Sequence, residues 1–423
     1  MAIRLPRKWI NQSFWAILDQ GFFAASNFAL NIMLARWLGV EAYGAFGIAF
    51  TVFLFVAIIH TSLLTEPMMV FCSGRFKDGT LGYLRNLLKI HWTAAWLGSA
   101  AIALLSSFFY WGTPSREPIL LLAFLTGPLL YPWLLRRACY PAGLPRIAAE
   151  SGAIYLILLL GSTSILRISG SLTVLTALMA MGACAALSGA WIQFKLSKPE
   201  KLTSATTTSS REIRSEHWTY GKWALLTGIV GWIPGNLAML ILPVWGGVEA
   251  SGEYRAAFNL VLPVQQVLAA AGPLLLPFLV RSRELPVFQS KVTKLALAFM
   301  IAPALWTALL AIAGSLLAGL LYDDAIPLPT HVLLLLGIQT ILGAGVLVLA
   351  TGLRAMEKPK EAFKGYLCSS LLSLLAGIPL MAVYGLTGAA AGGVISTAGS
   401  AVIMVLVFRK TMRPDGLAQP VNP

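Results

Sequence analysis

Long apolar stretches follow one another along almost the whole chain, and this pattern restricts the possible folds more than any other feature. Of the 423 residues, 57% are hydrophobic and 11% are charged, against roughly 25% charged in an average soluble domain. Because about 20 apolar residues make one bilayer-spanning helix, the chain can supply about twelve such helices with short loops. The composition therefore indicates an all-α polytopic membrane protein and excludes a soluble enzyme.

Twelve apolar stretches can be counted, and Pro or Gly interrupts many of them. In a bilayer, such breaks persist only where neighbouring helices or a wet cavity satisfy the freed backbone groups. The interruptions therefore favour a bundle of moving helices over single-pass anchors. The stretches run over 13–38, 43–66, 88–110, 118–139, 148–166, 172–195, 218–244, 252–280, 292–321, 328–352, 362–384 and 388–408.

One long polar segment, 196–217, separates the first six stretches from the last six. It is rich in Ser, Thr and charged residues, a composition that predicts a flexible linker. The expected organisation is a six-helix N-terminal lobe over 1–195, a cytoplasmic linker, and a six-helix C-terminal lobe over 218–423 that ends in a short cytoplasmic tail.

Basic residues are distributed unevenly between alternate loops. The chain has 31 Lys and Arg against 17 Asp and Glu, a net charge of +14. All but Arg36, Arg116, Arg167 and Arg255 fall at the two termini, in the linker or in every second loop. The positive-inside rule then predicts a multi-pass protein of the cell inner membrane with both termini cytoplasmic. Because the basic charge follows topology, nucleic acid is not an expected partner.

An internal repeat relates the two lobes. Residues 37–50, WLGVEAYGAFGIAF, align without gaps to 245–258, WGGVEASGEYRAAF, with eight of fourteen positions identical at a constant offset of 208. Both copies fall at the outer turn between the first two helices of a lobe, so the lobes have the same orientation. Parallel repeats related by an axis along the membrane normal are a known plan of transporters.

The residues around this repeat resemble a known family. The stretch LDQGFFAASNFALNIMLARWLGVEAYGAFGIAF (18–50), LLTEPMMVF (63–71) and the closing hairpin YGLTGAAAGGVIS (384–396) are similar to polysaccharide flippases of the multidrug/oligosaccharidyl-lipid/polysaccharide (MOP) exporter superfamily. The resemblance implies a V-shaped bundle of two six-helix lobes that moves lipid-linked sugars or polysaccharide units outward.

One face of the first predicted helix is polar. At 100° per residue, Asp19, Gln20, Ser26, Asn27 and Asn31 fall within about 140°. Lipid penalises such a stripe, so it should face a hydrated interior or other helices. Two interpretations remain open: a cavity lining in which the amides bind sugar hydroxyls, or polar contacts between helices. The carboxylate of Asp19 is the candidate for coupling to H⁺ or Na⁺.

The eighth predicted helix carries a second polar stripe, in which Arg255, Asn259 and Gln266 fall within about 40°. Arginine can hold phosphates through two parallel hydrogen bonds, so Arg255, together with Arg36 at the outer end of the first helix, is a candidate for binding the pyrophosphate of a lipid-linked glycan. The alternative is an arginine that extends to the interface and pairs with an acidic neighbour.

Three further residues are assigned from their position next to helix breaks. Asn236 follows Pro234 and Gly235 and is predicted to mark a bend that faces the cavity. Glu66 and Pro67 lie at the inner end of the second helix, where a gating role and a structural role both remain open.

Motifs of several chemistries are missing from the sequence. It contains no GxxxxGK[ST] phosphate loop, no HExxH, no GxSxG and no paired-cysteine spacing, since its four cysteines are scattered. We therefore expect a transporter rather than an enzyme, with no cofactor and no bound metal.

The function predicted from these features is the flipping of a lipid-linked oligosaccharide or polysaccharide precursor by cation-coupled alternating access. The expected partners are a polyprenyl-pyrophosphate-linked glycan, membrane lipids, H⁺ or Na⁺, and polysaccharide-assembly proteins. Two alternatives remain: a multidrug/cation antiporter of the same superfamily, and a membrane-embedded enzyme of glycan assembly. The enzyme would need a long outer loop with catalytic residues, and no loop of that length is evident.

Overall fold

The computed structural model describes residues 7–72, 80–197, 209–280, 287–323 and 328–412, together with the single residues 282 and 326. Within these ranges the secondary structure is α-helical, with two π-helical turns and no strand. The all-α prediction from composition is therefore confirmed, as expected where lipid leaves backbone groups no partners outside their own helix.

The described residues of the N-terminal half form seven α-helices. A π-helical turn, Thr61–Thr65, joins the second to the third without interrupting the rod. Helix starts follow local signals: a proline occupies the first turn of the sixth helix, and the Thr173 hydroxyl accepts a hydrogen bond from the Thr176 N–H (3.1 Å) at the start of the seventh. The helices are α1 (Arg7–Trp37), α2 (Val40–His60), α3 (Glu66–Cys72), α4 (Thr80–Phe109), α5 (Arg116–Cys139), α6 (Pro145–Ile168) and α7 (Val174–Leu196).

In the C-terminal half, the part of the chain that the structure describes forms six α-helices and a second π-helical turn, Ser373–Gly377. Inside the last helix, Gly385 has φ 54° and ψ −127°, a conformation that glycine adopts without steric cost. The chain reverses there, so 378–384 completes one membrane pass and 386–411 forms the next. The helices are α8 (Ser210–Ile241), α9 (Pro243–Val280), α10 (Phe288–Tyr322), α11 (Thr330–Ala355), α12 (Pro359–Leu372) and α13 (Ile378–Thr411).

These helices account for the twelve predicted passes. Nine helical segments among the described residues are long and apolar enough to cross a membrane. One of them, Pro359–Thr411, has 53 residues and makes two passes because of the break at Gly385. The two remaining long helices, α1 and α9, carry the predicted polar stripes. Large apolar side chains such as Leu104, Phe108 and Ile312 are largely exposed, as lipid contact requires.

The predicted linker, 196–217, falls mostly on residues outside the described ranges. Its last eight residues, however, belong to α8, which begins at Ser210. The polar composition of 210–217 thus reflects the first turns of a helix before it enters the apolar region.

The chain divides into two compact units, Met1–Ile229 and Val230–Pro423, here called the N-terminal and C-terminal units. Within the N-terminal unit, α5 packs against α2, α4, α6 and α7. Within the C-terminal unit, α11 packs against α9, α10, α12 and α13. These central helices are the fourth pass of each half, and their neighbours are the second, third, fifth and sixth. The central helix of each unit therefore has equivalent neighbours, as duplication predicts.

The two copies of the sequence repeat contain equivalent breaks in the helices: Gly39 precedes α2, and Gly247 (φ 71°, ψ 174°) interrupts α9 near its start. In the first copy the Tyr43 hydroxyl donates to Oδ1 of Asn31 (3.2 Å), and in the second the Ser251 hydroxyl donates to the backbone oxygen of Met239 (3.2 Å). Both residues of each contact are related by the offset of 208. The same helix-to-helix contact thus recurs in both units with different side chains.

The closing glycine motif allows two segments to pack closely after the break at Gly385. A Cβ atom on Gly388 would overlap the backbone carbonyl of Leu380, and one on Gly392 would lie 2.7 Å from the Cα of Gly377. The motif that resembles the flippase family therefore has a packing role at the final hairpin.

We expect Gly388→Ala to destabilise the protein by about 1–3 kcal/mol, because the added methyl group displaces backbone atoms that cannot rotate away. Gly161→Ala in α6 is the matched control, since no atom lies within 4 Å of the Cβ it would add. Thermal unfolding in detergent would measure both. Equal unfolding temperatures for the two variants would contradict the close packing of the final hairpin.

Candidate functional site

Asp19 of α1 is fully buried inside the N-terminal unit and is ion-paired. Its Oδ1 lies 2.7 Å from Nε of Arg136, near the end of α5. The same guanidinium donates through Nη2 to the backbone oxygen of Asp19 (3.2 Å). The Tyr140 hydroxyl donates to Oδ2 (2.5 Å). Both carboxylate oxygens and the backbone oxygen of Asp19 therefore accept hydrogen bonds from the end of α5.

Local sequence explains why these groups meet. Arg136 and Tyr140 are four residues apart, so a helical turn places both donors on the same side. On the third helix of the site, α6, Gly152 faces Asp19: a Cβ there would be 3.5 Å from the Asp19 carboxylate and 3.2 Å from the Cβ of Phe22. A larger residue at 152 would separate α6 from α1.

The electrostatics of this cluster favour charge-neutral pairing. A buried carboxylate is costly unless it is paired and hydrogen-bonded, and Arg136 supplies both. Burial and the adjacent Asp19 carboxylate together raise the pKa of the Tyr140 hydroxyl. Tyr140 therefore keeps its proton at neutral pH and remains a hydrogen-bond donor to Asp19.

Aromatic side chains surround the ion pair. The Arg136 guanidinium carbon lies 4.3 Å from the centroid of the Phe23 ring. Phe23 stacks on Tyr155 (5.8 Å) and meets Trp133 edge-on (5.7 Å), which in turn meets Phe53 edge-on (6.0 Å). Since a guanidinium is attracted to aromatic faces, these rings help to hold Arg136 in its pairing position.

A cavity within the N-terminal unit opens beside this cluster. Its polar groups are Asn27, the hydroxyls of Ser151 and Ser188, and Arg136. Phe50 adds to the aromatic wall described above. No carboxylate residue is among the described residues that line it, because Asp19 lies behind Arg136. The lining residues are Phe23, Asn27, Phe50, Phe53, Leu129, Pro132, Trp133, Arg136, Ser151, Gly152, Tyr155, Met181, Ala185 and Ser188.

Within the polar stripe of α1, one residue lines the cavity and another makes a contact between helices. Asn27 lines the cavity, while Asn31 is buried and accepts the hydrogen bond from Tyr43. Ser26, Asn27 and Asn31 each donate to the backbone oxygen four residues earlier (2.7–2.9 Å). Gln20 is exposed, and its amide contacts the Tyr140 hydroxyl at 3.3 Å.

Glu66 and Pro67 adjoin the π-helical turn that follows α2. Pro67 has no N–H to bond the carbonyl of Leu63, four residues earlier. That carbonyl instead accepts from Nδ1 of His217 on α8 (2.8 Å), while Nε2 of His217 faces the Tyr83 hydroxyl (2.6 Å). Glu66 is exposed and accepts from Tyr220 (3.4 Å). Both residues therefore take part in contacts between α2–α3 and α8.

The predicted residues of the C-terminal half do not form one cluster. Asn259 is buried and Arg255 partly buried, but Gln266 is exposed. It is the neighbouring Gln265 that donates across the unit to Thr340 of α11 (3.2 Å). Pro263 precedes both glutamines, and a proline bends a helix and changes the phase of its faces.

Two remaining predicted residues lie at helix ends. Asn236 of α8 is partly buried and donates to the backbone oxygen of Trp232 (3.0 Å), a bond that stays within its own helix. Arg36 is exposed in the last turn of α1.

Sequence reasoning assigned Arg136 to the cytoplasmic anchors and missed its pairing with Asp19. The correction has a simple reason: a basic residue at the end of a membrane helix can face water or the protein, and charge counting treats both alike. Arg137 is exposed as an anchor should be, whereas Arg136 is buried. The feature of the sequence that bears on this pairing is the four-residue spacing of Arg136 and Tyr140, which places both donors on one side of α5.

Comparison with known proteins gives a fold and no sequence family. No protein-family model matches the chain, and no curated protein matches it by sequence. Solved structures match it over nearly its full length. An inward-facing multidrug resistance MATE family transporter of the MOP superfamily has a TM-score of 0.77 at 16% identity, covering 94% of this chain and 98% of that one.

Two further structures have the same architecture. The lipid II flippase MurJ in an inward closed conformation has a TM-score of 0.72 at 13% identity, covering 96% of this chain and 91% of that one. A MOP superfamily transporter from Pyrococcus furiosus has a TM-score of 0.68 at 14% identity, covering 98% and 96%. The chain therefore has the fold of the MOP superfamily transporters, which includes drug transporters and a lipid flippase.

We expect Arg136→Met to destabilise the protein by about 3–5 kcal/mol, because it leaves the buried Asp19 carboxylate without its counter-charge. The adjacent Arg137→Met should change stability by no more than about 0.5 kcal/mol, since Arg137 is exposed. Thermal unfolding in detergent compares the two. The double variant Asp19→Asn/Arg136→Met should recover part of the loss; if it is no more stable than Arg136→Met, the pair is not coupled.

Proposed function

We propose that this protein is an inner-membrane transporter that flips a lipid-linked oligosaccharide or polysaccharide precursor by alternating access, coupled to movement of a cation. The glycan head group would cross through the protein while its lipid tail stays in the bilayer. The MOP fold supports transport in general, and the chemistry of the N-terminal cavity supports the substrate class.

The observation that carries the substrate class is the lining of that cavity. Aromatic rings stack on the apolar faces of sugars, and amides and hydroxyls bond to their hydroxyl groups. The cavity provides both, through Trp133, Tyr155, Asn27, Ser151 and Ser188. A cationic drug would instead be held best by an exposed carboxylate. Asp19, which adjoins the cavity behind Arg136, is buried and already paired with that arginine.

Cation coupling is proposed at Asp19. Both of its carboxylate oxygens are engaged by Arg136 and Tyr140, so H⁺ or Na⁺ can bind there only when those donors withdraw. Binding of the cation and rearrangement of the end of α5 against α1 would then be a single event. Competition of this kind is what links occupancy of an ion site to a change of conformation.

The anionic part of the substrate is assigned to arginines outside this cluster. Arg36 and Arg255 are proposed to contact the pyrophosphate of the carrier lipid, with Asn236, Asn259 and Gln266 as further polar contacts along the path. Both termini are proposed to be cytoplasmic, in keeping with the distribution of basic residues. Polysaccharide-assembly proteins are proposed partners.

Asp19→Asn should abolish flipping while the protein remains folded, because Asn keeps the size and a hydrogen-bond acceptor but cannot exchange a cation. Movement of a fluorescent lipid-linked glycan in proteoliposomes measures the activity, and gel filtration with thermal unfolding checks the fold. Glu150→Gln is the matched control: this acid of α6 is only paired with Arg146 in the next turn (3.0 Å). Unchanged flipping by Asp19→Asn would refute the coupling role.

The rival function, a multidrug/cation antiporter, makes a different prediction. We expect expression of the protein to leave the susceptibility of a drug-sensitive host to cationic dyes and antibiotics unchanged, since no free carboxylate is available in the cavity lining. Export of a cationic dye that requires Asp19, together with no movement of lipid-linked glycan, would favour the antiporter.

A further inference from the structure

Two buried histidines of the N-terminal unit face each other. Nε2 of His60, the last residue of α2, lies 2.9 Å from Nδ1 of His91 on α4, and the rings meet edge-on with centroids 5.1 Å apart. The two residues are 7% and 0% exposed. At this distance one facing nitrogen carries a proton and the other accepts it.

The outer nitrogens of this pair, Nδ1 of His60 and Nε2 of His91, have no hydrogen-bond partner among the described residues. Buried side-chain nitrogens are normally bonded, so two orphans on one pair call for an explanation. His217, buried in the same unit, shows the usual arrangement: one ring nitrogen donates to the Leu63 carbonyl and the other faces the Tyr83 hydroxyl.

Proton counting shows what the pair can hold. In the neutral pair one proton lies between the rings, one outer nitrogen carries a proton, and the other is bare. The bare nitrogen can take one proton from solution, giving a pair with one positive charge and the bridge intact. A second proton would place N–H groups on both facing nitrogens, which cannot remain 2.9 Å apart. With this geometry, the neutral pair can therefore bind one additional proton.

Several titratable or charged groups among the described residues lie on the helices that pack around the pair. The one that faces it from α5 is Tyr131, whose ring centroid is 6.3 Å from that of His91 and whose hydroxyl donates to Gln193 of α7. The backbone of Gly127, also on α5, adjoins His91. On α4 itself, Arg85 and Lys89 precede His91 within two turns and are exposed. Further groups contact one another or aromatic rings: Asp19 with Arg136, Glu66 with Tyr220, His217 with Tyr83, and Lys195 with Trp191.

The pair lies next to an irregular part of the fold. His60 directly precedes the π-helical turn Thr61–Thr65, and π-turns within α-helices are frequent at functional sites. Glycines of α8 pack on this turn: a Cβ on Gly221 would lie 2.8 Å from the Ser62 backbone oxygen, and one on Gly228 would lie 3.1 Å from its hydroxyl. A change of protonation at the histidine pair would thus take place next to the contact between α2 and α8.

From this geometry we propose that His60 and His91 form a proton-binding site, separate from Asp19, that takes up and releases one proton in each transport cycle. The proton enters on one outer nitrogen, the bridging proton shifts, and a proton leaves from the other outer nitrogen. The link to the transport cycle rests on the proposed function, whereas proton binding by the pair does not.

Proton binding can be measured on the wild-type protein alone. The chain has only four histidines, so ¹⁵N-histidine NMR of the full-length protein in lipid nanodiscs can resolve them, with assignments from single glutamine variants. We expect His60 and His91 to titrate together, with uptake of one proton per pair as the pH is lowered. Two independent titrations, or no uptake at either ring, would overturn the proposal.

The role in transport is tested with fluorescent lipid-linked glycan in proteoliposomes under an imposed pH gradient. His60→Gln and His91→Gln keep a hydrogen bond in the pair but cannot hold the proton, so flipping should lose its response to the gradient. His331→Gln, an exposed histidine of α11, is the matched control and should keep it.

The outcomes separate this proposal from the proposed function. If the wild-type protein flips glycan and responds to the gradient, an unchanged response in both pair variants overturns the histidine site. If it flips glycan without any response to the gradient, the proton role is overturned and the flippase function stands. If it moves no glycan, the flippase function is refuted, and the NMR titration alone decides whether the pair binds a proton.

Discussion

The need to satisfy backbone hydrogen bonds inside lipid governs this structure. It leaves helices as the only spanning element, and wherever a helix is interrupted another group has to take over the freed bond. Pro67 shows this directly, because the Leu63 carbonyl that it leaves without an N–H is bonded by His217 of another helix. The bond from His217 that replaces the missing N–H of Pro67 is also a contact between α2–α3 and α8.

A buried charge in the N-terminal unit likewise needs a partner within the protein. Asp19 can be buried because Arg136 and Tyr140 saturate it, and Arg136 is held in turn by Phe23. An ion pair of this kind contributes little net stability over an apolar pair, yet the loss of one partner is severe. Such a site is better suited to exchanging the partners of the carboxylate than to stabilising the fold, because a group that replaces Arg136 has to supply a positive charge.

The large features of the fold could be predicted from sequence because they depend on composition and period. Length and hydropathy gave the all-α fold and the twelve passes, and the offset of 208 located the equivalent turns at Trp37 and Trp245. The site was less accessible. Periodicity placed Asp19 on the polar face of α1, but its partner lies 117 residues away and resembled an anchoring arginine. Only packing distinguishes Arg136 from the exposed Arg137.

Other details failed to follow from sequence for related reasons. Helical phase placed Gln266 on one face with Arg255 across Pro263, but the structure leaves Gln266 exposed and Gln265 donates to Thr340 of α11 instead. His60 was visible as a polar residue in an apolar helix, but the second ring comes from α4, and no local pattern connects them. Local patterns in one sequence do not predict contacts between helices that are distant along the chain.

The duplicated turn shows what became of the two halves after they arose from one. Tyr43 with Asn31 and Ser251 with Met239 make the same contact with unrelated chemistry, so the scaffold was retained while the side chains diverged. At the position equivalent to Asp19, the offset of 208 gives Thr227, whose hydroxyl only bonds the backbone oxygen of Trp223 in its own helix. The duplicated scaffold therefore carries a carboxylate at this position in the first half and a hydroxyl in the second. In the coupling proposed for Asp19, the cation would therefore act directly on the N-terminal half.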